Sequence, residues 1–389
     1  MKSIKLFSLF LLVVLITIGN SSYAQSPKKY FKPGEEFREN EPFKAAITQY
    51  SKAIDGDSKY VDAYIARAEA HRSLSNLESA IEDYLRALTF DADNEDYLIE
   101  TSKLYFETNK YEKAIEYANK TIENDKKNLV AFDIKIQSQL NLKEFDNAIT
   151  TINQAIEIKK SSTLYYSLGI AYQEKKEWGK AAENFKEALD MNADYMDALL
   201  ALANSQLELK QLEQAMSSCN KVIEKDEKNT DALVIRAKVY RAKLDYPSAI
   251  ADLSKALLLA KDEDKELIYL ERGISYLEFK QAHLAVTDFN TILYNKNKED
   301  YSIEVLYARA SAFEATHQYE KAIDDYETLR EITPFDEKAS ILLDKASERL
   351  YELNKESKIP TIAFIEPKII DENSIPVRKG ITEATIRAQ

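Results

Sequence analysis

Apolar residues recur along this chain at spacings of three and four, in short runs separated by polar, charge-rich breaks. That period predicts pairs of amphipathic helices. The stretch from Ser162 to Tyr195 displays it most openly. Tyr165, Leu168, Gly169 and Tyr172 share one helical face, and after a polar break that ends at Trp178, Ala181, Phe185 and Ala188 share a face of a second helix. Gly169 and Ala181 are small where two packed axes would cross, so the backbones approach while aromatic residues fill the space on either side.

The unit repeats. The second-helix alanine recurs as Ala46, Ala80, Ala114, Ala148, Ala181, Ala215, Ala249, Ala285 and Ala322, at intervals of 34, 34, 34, 33, 34, 34, 36 and 37 residues. Four residues after each stands a core-filling side chain: Tyr50, Tyr84, Ala118, Ile152, Phe185, Cys219, Leu253, Phe289 and Tyr326. Twelve residues before each stands a small one, as in Gly34, Ala68, Ser102, Gly169, Ala203, Ala237, Gly273 and Ala310, with Ile136 as the one departure. The fourth unit (about 129–161) also carries Gln139 where most others have an aromatic residue, so its packing is expected to be the least secure. Over residues 27–336 this arrangement of aromatic, Leu-Gly, Tyr, Ala, Phe and Ala positions resembles the tetratricopeptide repeat. The resemblance implies an all-α fold, a right-handed superhelical solenoid of about nine helical hairpins.

Composition fits that expectation. Seven glycines and eight prolines in 389 residues, with abundant Ala, Leu, Glu and Lys, suit a nearly all-helical chain. Length would otherwise suggest two or three domains, but repeats that stack only on their neighbours let one solenoid outgrow a single core. The formal charge of −13 disfavours nucleic acid and anionic membrane surfaces, which repel such a chain before contact.

Residues 1–24 read as a secretory leader: Lys2 and Lys5, an apolar run from Leu6 to Ile18, then Ser22-Tyr23-Ala24 before a cut after Ala24. The run is too short to span a bilayer comfortably, and no cysteine follows it to carry a lipid. The mature protein is therefore expected in the periplasm or released, with no membrane insertion after cleavage. Residues 25–336 form the repeats, opening with a helix over Pro27–Asn40 that contains Pro33. Asp62, Asp96, Asp197 and Asp231 begin helices, where a carboxylate meets free N–H groups and the helix dipole. Small insertions are expected around 262–264 and 296–302, with Pro334 in the final turn. Residues 337–357 read as an amphipathic capping helix whose apolar positions are Ile341, Leu342, Ala346 and Leu350. Residues 358–389 form a short β-prone tail: disordered, docked on the last helices, or the opening strands of a β-domain.

Candidate chemistry is sparse. Cys219, the only cysteine, occupies a core-filling position and can form no internal disulfide. His71 takes an aromatic packing position, and His283 and His317 fall between paired helices. No spacing places two metal ligands on one helix face, and no phosphate-binding glycine loop or glycine-flanked serine occurs. No catalytic residue, metal or cofactor is assigned.

In the family resembled, first helices of successive repeats line a concave groove. The positions this implies here are Ile99, Phe106, Leu140, Tyr166, Ile170, Leu200, Leu207, Val234, Leu270, Ile274, Leu277 and Tyr307, an apolar stripe interrupted by polar residues that include Lys103, Gln137, Asn204, Lys238 and Arg241. Some of these residues are equally able to pack against the next repeat. As a set they suit an extended or helical peptide with apolar anchors. The carboxylate clamp of some relatives is absent, since Ile65, Ile99, Asp133 and Tyr166 stand at its positions. The expected partner is another envelope or secreted protein, with no indication of oligomeric state. Two other functions stay open: a regulatory arm of an envelope enzyme or assembly complex whose catalytic or β-sandwich domain lies elsewhere, and a sensor of a glycan or small ligand through Tyr166 and Tyr307.

Overall fold

A computed structural model describes residues 26–39, 42–294, 296, 301–333 and 337–356 of the chain. The leader, the β-prone tail, Pro334 and most of the 296–302 insertion lie outside the described residues. The described residues contain 19 α-helices and no strand.

The chain divides into two compact units, Met1–Glu227 and Lys228–Gln389. In the first, six hairpins follow one another: α1 (Lys28–Glu39) with α2 (Phe43–Gly56), α3 (Val61–Ser73) with α4 (Leu77–Leu88), α5 (Glu95–Glu107) with α6 (Tyr111–Asn124), α7 (Leu129–Asn141) with α8 (Phe145–Ile158), α9 (Ser162–Glu174) with α10 (Trp178–Met191), and α11 (Met196–Glu208) with α12 (Leu212–Lys225). The second holds α13 (Thr230–Ala242) with α14 (Tyr246–Leu259), α15 (Lys265–Glu278) with α16 (Ala282–Leu293), α17 (Ile303–Ala315) with α18 (Tyr319–Ile332), and the longer α19 (Glu337–Glu356). Within each unit every helix packs on its sequence neighbours, as a stack of repeats requires.

The crossings obey the size rule read from the sequence. All nine repeat alanines are fully buried. A Cβ built on Gly34, Gly169 or Gly273 would fall within 2.7 Å of Tyr50 Cδ1, 2.6 Å of Phe185 Cδ1 and 2.8 Å of Phe289 Cζ respectively. In the fourth hairpin the departure is matched by its partner: Ile136 and Ile152 are both fully buried, an aliphatic pair in place of glycine and an aromatic ring. The weaker packing expected of that hairpin is also seen: α7 and α8 meet less closely than the paired helices of any other hairpin, and the buried Oε1 of Gln139 has no hydrogen-bond partner among the described residues.

Each hairpin from α3–α4 to α17–α18 turns in one way. Ser75, Asn109, Lys143, Lys176, Lys210, Leu244, Lys280 and His317 all adopt left-handed backbone, with φ from 57 to 64°. The following N–H donates back to the carbonyl five residues earlier, as from Asn76 to His71 (2.9 Å) and from Glu177 to Tyr172 (2.8 Å). This is a Schellman ending made without glycine.

The helix starts combine cap side chains with first-turn acids. Asn94, Asn128 and Asn229 cap α5, α7 and α13 by accepting from Tyr97, Ala131 and Ala232 N–H, and Ser161 caps α9 by accepting from Leu164 N–H. The acidic residues Asp62, Asp96, Asp197 and Asp231 sit inside the first turns, where their charge is attracted by the positive end of the helix dipole, as expected, while the cap positions belong to other residues. The insertion at Asp262–Asp264 is one turn of 3-10 helix. Among the side chains of α19 that are described, Leu350 and Leu353 are buried, while Ile341 is 58% exposed.

Candidate protein-binding surface

The first helix of each hairpin carries two faces. One meets its own second helix through the small residues above. In four hairpins a buried ion pair fastens this contact: Arg67 with Asp83, Arg236 with Asp252, Arg272 with Asp288 and Arg309 with Asp325, always sixteen residues apart and always bidentate. Tyr240, Tyr276 and Phe313 lie four residues after the last three arginines, with ring centroids 5.6–5.9 Å from the guanidinium carbon. The hydrogen bond from Arg272 to Asp288 outweighs desolvation and raises the arginine pKa. Hairpins α5–α6 to α11–α12 have Thr101, Lys135, Leu168 and Leu202 at the arginine position and lack the pair. Nothing in the sequence reading singled this pair out, although aligning the repeats on their alanines exposes it.

The other face is the expected binding surface, and the structure divides its residues. Ile99, Phe106, Leu140, Tyr166, Ile170 and Leu200 are partly exposed in the first unit, whereas Leu207 is buried. In the second unit Val234 is buried as well, and Leu270, Ile274, Leu277 and Tyr307 are partly buried against the core of that unit. Lys238 and Arg241 converge on Glu271, at 2.8 Å and 2.7 Å. Their charges are neutralised internally, so they serve the fold of the second unit first.

Leu140, Tyr166 and Ile170 come together on a cavity of about 640 Å³ between α7 and α9. First helices α5 and α7 approach closely, but α7 and α9 do not, and the cavity occupies the space between them. The connection from α8 to α9 is one residue shorter than the four-residue links after α6 and α10, which is the 33-residue interval in the repeat. Tyr166 is fixed by rings on two sides, Phe185 at 5.8 Å and Tyr195 at 5.0 Å. Its phenol pKa is raised by desolvation first and then by the negative charge of Asp197.

The sequence reading had Gln137 on this face and Asp133 at a clamp position, but did not single out Asn141, Glu174 and Tyr195, which join them in the lining. Asp133 is open to water on one side, yet partial desolvation raises its carboxyl pKa against a hydrogen bond from Gln137. Asp133 belongs to no ion pair among the described residues. The one cue available in the sequence was its identity, an acid where the carboxylate clamp of relatives has a basic or amide residue.

Among the described residues no group of three or more His, Cys, Asp or Glu side chains could hold a metal ion, and no helix is long and apolar enough to cross a membrane. Cys219 is buried in the core.

Residues 34–97, 97–128 and 172–239 match family models described as tetratricopeptide repeat. Similar solved structures include a tetratricopeptide repeat protein from Parabacteroides merdae, at 18% identity over 64% of this chain and 99% of that one, with TM-score 0.49. Others are the C-terminal part of a repeat-containing protein of the same kind from Cytophaga hutchinsonii (17%, 62% and 97%, TM-score 0.46) and a thermophilic one from Thermus thermophilus (18%, 48% and 100%, TM-score 0.42). No curated protein matches the chain. Repeats of this kind build protein–protein interaction scaffolds, typically without catalysis of their own.

Proposed function

We propose that this tetratricopeptide repeat protein is a non-catalytic scaffold of the bacterial periplasm, or a secreted one, that holds a segment of another envelope or secreted protein against the first helices of its first unit. The observation that carries this reading is the cavity where Leu140, Tyr166 and Ile170 converge between α7 and α9. A lining that sets Leu140, Phe145, Ile170 and two tyrosine rings among polar side chains suits a peptide that anchors one or two side chains and runs on along neighbouring repeats. The leader at residues 1–24 supports the location.

Pull-down with the tagged full-length chain tests the binding. Ile170→Asp is expected to abolish recovery of the partner while helicity and thermal midpoint stay near those of the parent; undiminished recovery would contradict the reading. Cell fractionation tests the location, and a cytoplasmic pool of uncut protein would contradict that part.

A further inference from the structure

The cavity has chemically distinct ends. Asp133 and Tyr166 occupy the same place in successive repeats, fifteen residues before Ala148 and Ala181. Tyr195 closes that end, its ring 5.0 Å from that of Tyr166. Asp197, in the first turn of α11, acts electrostatically on both phenols. Lys143 and Glu174 line the other end. Asn141 beside them lies eight residues beyond Asp133, about 12 Å along the helix. The only cation of the lining, Lys143, lies in the turn after α7, at the far end of that helix from Asp133. The near end combines two aromatic rings, an unpaired carboxylate and the field of a second one, the environment that favours an ammonium or guanidinium group.

We propose that this end receives a lysine or arginine side chain of the bound segment, held by the Asp133 carboxylate and the faces of Tyr166 and Tyr195, while adjacent apolar residues of that segment rest on Leu140 and Ile170. The inference rests on the first-helix face being the binding surface and adds the chemistry of what it selects. Pairing with a cation also offsets the hydration that Asp133 has lost. The net charge of −13 favours a basic segment at longer range.

Panning short random phage-displayed peptides on the immobilised full chain tests this, with Asp133→Asn and the cavity-filling Ile170→Trp in parallel. Peptides enriched on the parent are expected to carry Lys or Arg next to an apolar residue, and to be lost on both variants. In solution, Asp133→Asn and replacement of the peptide's basic residue by norleucine should each weaken binding roughly tenfold, and together little more than either alone. Enriched peptides without a basic residue, or a basic preference that survives Asp133→Asn, would overturn the cation site and leave the face intact. Failure of any peptide to prefer the parent over Ile170→Trp would overturn both.

Discussion

Gly169 lies against the ring of Phe185 so closely that a methyl group on it would meet Cδ1 at 2.6 Å. The ring is fully buried and cannot retreat into solvent. Gly169→Ala is therefore expected to destabilise the protein by roughly 1–3 kcal/mol through overpacking, despite alanine's better helix propensity. Gly179 provides the control, because a Cβ there would meet nothing within 4 Å. Gly179→Ala should be neutral or stabilising by up to about 1 kcal/mol. Chemical denaturation of the two variants checks both signs, and Gly169→Ala with Phe185→Leu should recover part of the loss.

Leu244 holds a left-handed backbone, φ 63°, with its side chain 70% exposed. A leucine there gains little from burial while its Cβ opposes the conformation, at about 1–2 kcal/mol. Leu244→Gly should raise stability by up to about 1 kcal/mol, less than the relief of strain because glycine loses more chain entropy on folding. Leu244→Asn should act in the same direction. A fall in the thermal midpoint for both would mean that the turn is held by contacts of the side chain.

Arg272 donates two hydrogen bonds, of 2.7 and 2.8 Å, to the carboxylate of Asp288, which is 3% exposed. Asp288→Ala strands a half-buried guanidinium, and the expected loss is about 3 kcal/mol. Replacing both partners, Arg272→Met with Asp288→Leu, should cost much less than the single change. Equal costs would show that the pair does not act as a unit.

Asp133 should reveal its lost hydration in the pH dependence of stability. Its folded-state pKa is raised by desolvation, so as pH rises the unfolded chain ionises first, and the destabilisation is complete once pH exceeds the folded pKa. Asp133→Asn removes that cost. Its thermal midpoint should exceed the parent's near pH 7, and the difference should shrink as pH falls toward about 4. A constant difference would place its origin outside this titration.

Ala181 and the alanines in phase with it made the repeat visible in sequence because each crossing needs a small residue at a fixed distance from a large one. The same logic marked Ile136 as a departure; Ile152, sixteen positions later, fills the crossing with it, while α7 and α8 stay less closely packed than other paired helices. Crossing volume is a property of pairs. Left-handed turns were invisible because lysine, leucine and histidine fill positions where glycine would have signalled them. Leu207 and Val234 share the period of Tyr166 and Ile170 yet are buried, since periodicity selects a face and says nothing of how close the next helix comes. The cavity depends on how closely α7 and α9 approach, which the repeat period does not report.

The account rests most heavily on one face of the first unit meeting a partner. A photo-crosslinking residue placed at Ile170, on the cavity, and in a second strain at Lys186, exposed on α10, tests this in the living cell. The account predicts one discrete crosslinked product from position 170 and none from position 186. Equal products from both positions, or a product from position 186 alone, would contradict it.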